Sequence, residues 1–554
     1  MPKNFLQKSL NVFLRQQTNI LSAAFIIMAT VIFSQILGLV RQRLLVAIFG
    51  ASNTLGIYLA SAQIPNFLFQ IIIAGALSSA FIPVFSDYLV KKKEKEGYVF
   101  ASTLLLIGLA IFFVLSLILF IFAEPASHLV APGFSHKELL LMANLMRVII
   151  VGELLFIVGS FLSAVLQSYN HFFIPGIASA LYNFGMIVGI LFLSPFMGIY
   201  SAAYGVIIGA GIFVLMQLPL SRKVGFRFLP SSSFTSTGIK EVFHLMWPRT
   251  LSLAIFQMGT LITVTLISFL SDPGRSYVIF DYAQTLAFAP VVLFGQTIAQ
   301  AAFPVLSRQR ENLEEFKRTF LTSFHQMLYL VFPVSVLFFV LRIPVVRLIY
   351  GASQFDWQAT VLTGRTLAFF AISLFATALI YLVSRGFYAL HDTVTPLVVG
   401  AITTIIMIGL GAYGIFILHT GIASVAFAYS VGSVLNFLIL MVVLDRKTKG
   451  FQRAALIMPF IKISFATFCI AFALYIPIKL LDQLVFDTTK TINLLMLTGI
   501  ASAAGLLFYF FITWLLDVKE ATTFLLMFKK IGNWREILNK SDETLDSTTH
   551  FNPS

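Results

Sequence analysis

Long apolar runs separated by short polar stretches organise this chain. In order, the runs fall at 21–48, 53–86, 98–123, 139–168, 173–195, 199–219, 240–269, 276–306, 318–342, 358–390, 394–417, 421–443, 454–479 and 491–516. Each is near or above the roughly 20 residues an α-helix needs to cross a hydrocarbon core, and far longer than a barrel strand. Backbone amides inside a bilayer must be bonded within the protein, which leaves helices as the spanning form. The pattern predicts an all-α polytopic membrane protein of about fourteen transmembrane helices. The longest runs are predicted to tilt, bend or protrude.

The composition agrees: 58% of residues are hydrophobic and 11% charged, with a mean hydropathy of +0.93. A soluble domain carries about 25% charged residues. The formal charge of +14 resides largely in the connections, and its distribution argues for membrane orientation rather than nucleic-acid binding. One set of connections is rich in cations: Lys91, Lys92, Lys93 and Lys95; Arg222, Lys223 and Arg227; Arg308, Arg310, Lys317 and Arg318; Arg446, Lys447, Lys449 and Arg453. The alternating set holds Lys137, Arg275, Arg342 and Arg347. The positive-inside rule places both termini in the cytoplasm. Residues 1–20 read as a basic amphipathic cytoplasmic segment, and the run after them is too long for a signal-peptide core, so it is expected to be retained. In the tail, 517–554, the stretch Phe524–Leu538 has the pattern of a helix lying on the membrane surface, and the last dozen or so residues have a disordered composition. The one cysteine, Cys469, allows no internal disulfide or thiolate cluster.

The chain also resembles itself at an offset of 221 residues. Ala62-Gln63 recurs as Ala283-Gln284, and Ala80-Phe81-Ile82-Pro83-Val84-Phe85-Ser86 as Ala301-Ala302-Phe303-Pro304-Val305-Leu306-Ser307. Ala131 and Phe134 recur as Ala352 and Phe355, and Pro175 as Pro396. The offset pairs the first six runs with the next six. Six is even, so both halves enter the membrane from the same side, as a parallel repeat. This predicts an N-lobe at 21–219, a cytoplasmic linker at 220–239, a C-lobe at 240–443, and two added helices at 454–516. Transporters of this plan place substrate between the halves and rock them.

No glycine-rich loop ending in Gly-Lys-Ser or Gly-Lys-Thr marks an ATP motor, and no His/Asp/Glu spacing marks a metal site. The sequence points to a transporter rather than an enzyme, without cofactor or metal. Ionisable residues within spans cost about 2.5–3.5 kcal/mol each on insertion scales, so each needs a reason. Arg41 and Arg43 in the first run stand about 200° apart and cannot share one helix face. An arginine facing a cavity suits an anion, phosphate above all; the alternative is snorkelling toward the nearby helix end. Glu153, Asp281 and Arg365 are further candidates for substrate contact or internal ion pairs. Pro65, Gly75 and Pro83 in the second run, and Pro290, Gly295 and Pro304 in the eighth, take similar places in the two halves. They read as kinks or as hinges for alternating access.

Several motifs resemble the MurJ (MviN) family of the multidrug/oligosaccharidyl-lipid/polysaccharide exporter superfamily. They are Phe33-Ser34-Gln35-Ile36-Leu37-Gly38-Leu39-Val40-Arg41, Phe49-Gly50-Ala51, Ile64-Pro65-Asn66 and Gly75-Ala76-Leu77-Ser78-Ser79-Ala80-Phe81-Ile82-Pro83. Ala131-Pro132-Gly133-Phe134, Asn170 through Pro175, Gln217-Leu218-Pro219, Phe387-Tyr388, Asp392-Thr393 and Thr395-Pro396 add to the set. The resemblance implies a flippase in a bacterial cytoplasmic membrane for lipid II, the undecaprenyl-pyrophosphate-linked peptidoglycan precursor. A cationic cavity between lobes would take the headgroup, and the last two helices would guide the lipid tail. It implies as partners membrane lipid, a polyprenyl-pyrophosphate-linked glycan and the cell-wall synthesis machinery. Arg41 matches the family's cavity arginine in the first helix. Elsewhere this chain is neutral where the family is charged: Gln35, Gln42, Gly56, Phe69, Gln70, Ala74, Gln284 and Thr285. The expected cavity set is therefore Arg41 with Gln35, Gln63, Gln70, Gln284 and Thr285, and then Arg43, Glu153, Asp281 and Arg365. Two further readings remain open: an exporter of another lipid-linked glycan or amphipathic substrate, and a non-transporting membrane scaffold.

Overall fold

A computed structural model describes residues 20–71, 81–231, 237–352, 354–484 and 490–524. The expectations for residues 1–19, for Gly75 and for the stretch after Phe524 fall outside the described residues.

Helices account for nearly all of what is described. The first half contains α1 (Ile20–Phe49), α2 (Asn53–Ser61), α3 (Gln63–Phe69), α4 (Ile82–Val90), α5 (Glu94–Ile121), α6 (Ala123–Val130), α7 (His136–Ser168), α8 (Phe173–Met197) and α9 (Tyr200–Lys223). The second contains α10 (Thr237–Ser268), α11 (Pro273–Pro290), α12 (Thr297–Arg308), α13 (Leu313–Val340), α14 (Arg342–Tyr350), α15 (Trp357–Ala389), α16 (Val394–Phe416) and α17 (Ile422–Lys447). Two more, α18 (Arg453–Leu484) and α19 (Thr491–Leu515), follow. Among the described residues, 12 helices are long and apolar enough to cross a membrane. Two expected spans are not among those 12. The run at 53–86 is not one helix: it is divided into α2, α3 and α4, with Gln70 and Ile71 π-helical. The run at 240–269 lies in α10, whose apolar stretch is described at Gln257–Ser268.

The two halves repeat each other in backbone detail as well as in sequence. Asn170 and His391, one repeat apart, both take positive φ, at 59° each. So do Gly198 and His419, at 53° and 49°. The π-helical turn Val291–Gln296 begins one repeat after Gln70. Such turns widen a helix by one residue and occur often at functional sites. Two of the second-half residues that the sequence singled out lie at this irregularity: Pro290 precedes the turn, and Gly295 lies within it.

By contacts the described helices fall into two units. The first is Met1–Ala283 with Ile349–Thr366 and Gly400–Tyr429. The second is Gln284–Leu348, Leu367–Val399 and Ser430–Ser554. In the first unit, α8 and α9 pack tightly because each presents glycine at four-residue spacing. A Cβ on Gly185 would sit 2.6 Å from Gly209 Cα, and one on Gly189 2.5 Å from Gly205 Cα. Small residues at this spacing let helices meet backbone to backbone in lipid, where no hydrophobic force drives them together. Phe81, Phe85, Phe100 and Phe161 form an aromatic core beside them. Gln217, fully buried, donates to the Gly159 and Phe213 carbonyls and accepts from Ser163. The Gln217-Leu218-Pro219 motif is thereby assigned to packing.

In the second unit, α18 and α19 anchor on α13. Tyr509 donates to the Tyr329 carbonyl at 2.9 Å, Tyr329 and Thr513 hydroxyls pair at 3.2 Å, and Phe524 stacks on the Tyr329 ring. The turn before α16 is held by Asp392, which accepts the Thr395 N–H and hydroxyl and pairs with Lys447 at 2.5 Å. Partial burial works against its charge, but Lys447 and Thr395 outweigh that and hold the carboxyl down to about 2. An unfolded aspartate titrates near 3.9. The stabilisation is therefore complete above about pH 4 and lost only as pH falls through about 2. Asp392→Asn should lower the thermal unfolding midpoint equally at pH 7 and pH 5. A deficit that disappears at pH 5 would contradict this assignment.

Candidate functional site

The candidate site is built at one end of the first unit, where α1 stops at Phe49. There the first-half helices meet the start or end of second-half helices along a seam. Asn53 Oδ1 accepts the N–H groups of Gly274 and Arg275, at 2.7 and 3.2 Å, capping the start of α11. Asn53 and Gly274 are 221 residues apart, the repeat offset. Two equivalent positions can touch only near the axis that relates the halves, so the seam lies on that axis. Its flanks repeat as well. Arg43 donates to the Gly351 carbonyl on one flank, and Thr265 to the Val130 carbonyl on the other. These two contacts are equivalent to within a residue.

The seam is close because it lacks side chains. A Cβ on Gly56 would lie 1.9 Å from the Gly274 carbonyl oxygen, and one on Gly133 2.0 Å from the Ser268 carbonyl oxygen. Gly133 N–H donates to Ser268 Oγ. Gly50, at φ +66°, turns where a Cβ would meet the Gln354 carbonyl at 2.7 Å. Arg275 grips both oxygens of Asp356, at 2.9 and 2.8 Å.

Next to the seam lies a polar cluster centred on Arg41. Its Nη1 donates to Met186 Sδ at 3.2 Å, and its Nε is buried without a partner. A thioether is a weak acceptor. No carboxylate is within ion-pair distance of Arg41 among the described residues, yet Asp281 is within its electrostatic reach, as are Tyr58, Tyr182 and Tyr282. Glu153 is 6% exposed and acts on the same Tyr58 and Tyr182. Gln42 accepts from Tyr282 through its carbonyl at 3.2 Å and from Tyr350 through Oε1 at 3.0 Å. The rings of Tyr282 and Tyr350 are 4.7 Å apart. Chemically the cluster offers a cation with unused donors, two carboxylates in electrostatic range of it or its neighbours, and a wall of tyrosines.

The other expected residues divide as follows. Arg43 is exposed and its observed bond, to Gly351, belongs to the seam rather than beside Arg41. Gln35 is exposed on α1, and Gln63 and Gln70 are half-buried, with Gln63 donating to the Leu59 carbonyl. Arg365 is exposed on α15. Gln284 and Thr285 belong to the second unit, half-buried. Pro65 is buried inside α3, Pro83 stands at the start of α4, Gly295 lies in the π-helical turn against Ala378, and Pro304 is inside α12. Sequence reasoning missed the four tyrosines, whose apolar rings hid them among spans rich in aromatics. It also missed one cluster outside this site: Glu124, His128 and His136 lie together at the α6–α7 turn.

Comparison with known proteins follows the same lines. Residues 45–495 match the family described as lipid II flippase MurJ. The probable lipid II flippase MurJ of Buchnera aphidicola subsp. Acyrthosiphon pisum is 30% identical over 449 residues, covering 79% of this chain and 86% of that protein. Lipid II flippase MurJ of Burkholderia cenocepacia is 27% identical over 446 residues, covering 77% and 84%. A solved structure of lipid II flippase MurJ in an inward closed conformation shares the fold, with TM-score 0.72 and 24% identity over 89% of this chain and 100% of that one. An inward-facing multidrug resistance MATE family transporter of the MOP superfamily does so at TM-score 0.63 and 15% identity, over 75% and 94%.

Proposed function

The chain belongs to the MurJ family of lipid II flippases, and on that premise we propose that it carries lipid II across a bacterial cytoplasmic membrane by alternating access, with Arg41 as the contact for the pyrophosphate. It is a multi-pass membrane protein and a transporter. The observation that carries the substrate assignment is the state of Arg41. A half-buried guanidinium with a thioether for its partner and a buried, unpaired Nε is costly in a membrane protein and is explained by an anion that completes it. Gln35, Gln63 and Gln70 of the first unit are neutral amides of the kind that bond sugar hydroxyls. Asp281 lies within electrostatic reach of Arg41 without pairing with it.

Both termini lie in the cytoplasm in this reading, from the cation-rich connections. The seam is then the outer gate, and its glycine contacts are the closed state. The matched irregularities at Gln70–Ile71 and Val291–Gln296, with Pro65, Pro83, Gly295 and Pro304, are the places where the helices bend as the gate opens.

The test is rescue of a bacterium depleted of its own lipid II flippase. Expression of this chain should restore growth and cell shape. A well-expressed, membrane-inserted chain that fails to rescue would reject lipid II. Retained binding of another polyprenyl-pyrophosphate-linked glycan would then identify a sister substrate.

A further inference from the structure

At the α6–α7 turn, three side chains with metal-ligating atoms converge. Glu124 and His128 are four residues apart on α6, so they share a helix face. His136 is the first residue of α7. One ligating atom from each lies within 4.8 Å of the others, and His136 Nδ1 stands 3.9 Å from Glu124 Oε1. The two histidines are exposed and Glu124 is half-exposed. The site is therefore open to ions and its side chains are free to rotate.

We propose that Glu124, His128 and His136 bind a divalent transition-metal ion of the zinc type and that the ion ties α6 to α7. Two imidazoles and one carboxylate are the donor set of open zinc sites, with a fourth position left for water. Zinc–nitrogen bonds of about 2.0–2.1 Å put tetrahedral ligand atoms about 3.3 Å apart, so the side chains need close by only about 1.5 Å or less. Imidazole donors select zinc-like ions over calcium and magnesium, which take oxygen.

The backbone is already shaped for this closure. Ala131 N–H donates to the Ser127 carbonyl, Phe134 N–H to the Ala131 carbonyl, and Glu138 accepts the Ser135 N–H at 2.7 Å. The ligands thus stand on two helices joined by a fixed turn. That turn carries Val130 and Gly133, which contact Thr265 and Ser268 in the seam. An ion here stiffens one flank of the seam. The equivalent positions in the second half, Val345, Ile349 and Trp357, hold no ligand. That flank has the Arg275–Asp356 pair instead.

The experiment uses the full chain, purified in detergent with a tag that contains no histidine, stripped with chelator and titrated with zinc chloride. Expected are one zinc ion per chain by mass spectrometry, a raised unfolding midpoint, and slower hydrogen exchange at 131–135. Calcium and magnesium should do none of this. His128→Ala and, separately, His136→Asn should each weaken zinc binding at least tenfold, and Glu124→Gln less. Absence of stoichiometric zinc, unchanged binding in both histidine variants, or equal binding of calcium would overturn the proposal.

Discussion

Replacing Gly56 by alanine is expected to unseal the outer gate and abolish rescue. The added Cβ would lie 1.9 Å from the Gly274 carbonyl oxygen, and both atoms are fixed to helix backbone. No rotamer relieves that contact, so α2 and α11 must part. Overpacking costs about 1–3 kcal/mol where side chains can yield, and this contact sits at the upper end because backbone meets backbone. Each 1.4 kcal/mol is about tenfold in an equilibrium. The closed state should therefore lose about 10–100-fold in population relative to open states. The loss is readable as reactivity of a buried probe: Leu55→Cys, at a fully buried position of α2, in a Cys469→Ala background. A membrane-impermeant maleimide added outside should label it at least tenfold faster with Gly56→Ala. Gly400→Ala, where an added Cβ meets nothing within 4 Å, should leave both labelling and rescue unchanged. Unaltered labelling in a folded Gly56→Ala protein would mean that the Gly56–Gly274 contact does not hold the gate.

Much of this seam was written in the sequence without being readable as a contact. Phe49-Gly50-Ala51 and Ala131-Pro132-Gly133-Phe134 stood out as motifs, yet a one-dimensional pattern does not say that Gly50 faces Gln354 or that Gly133 faces Ser268. Gly56 and Gln42 read as lost charges. In the structure Gly56 is a point of backbone contact, and Gln42 still accepts hydrogen bonds from Tyr282 and Tyr350. The spans were legible because apolar length has one physical meaning in a bilayer. The repeat was legible because its offset survives as matched residues such as Ala131 and Ala352, Phe134 and Phe355, and Pro175 and Pro396; the matching positive φ of Asn170 and His391 was not, because the two residues differ. The break of the second run after Ser61 was not, because nothing in Ala62-Gln63-Ile64-Pro65 distinguishes a kink from a helix restart. The neighbours of Arg41 were beyond reach for a different reason. Tyr58, Tyr182, Tyr282 and Tyr350 come from four helices, and only tertiary packing assembles them.

Arg41→Ala should abolish rescue while raising thermal stability. The two effects have one cause. The half-buried guanidinium loses hydration for little return: a thioether contact and a buried, unpaired Nε. Insertion scales put a central arginine at about 2.5–3.5 kcal/mol, and alanine removes much of that cost. A hydrogen bond to a charged group contributes about 1.5–3 kcal/mol, so losing it should weaken pyrophosphate binding about 10–150-fold. Arg41→Lys keeps the charge but not the planar fork, and should recover part of the affinity. Asp281→Asn removes a negative charge that acts on Arg41, and should leave anion binding equal or tighter. The measurements are the unfolding midpoint of each purified variant and its dissociation constant for a polyprenyl pyrophosphate at two salt concentrations. A stabilised Arg41→Ala protein that binds the pyrophosphate as well as the parent would place anion recognition elsewhere. A destabilised one would make Arg41 part of the scaffold: its charge would then be satisfied by Asp281 and Glu153 together, leaving nothing in this cluster to draw a phosphate in.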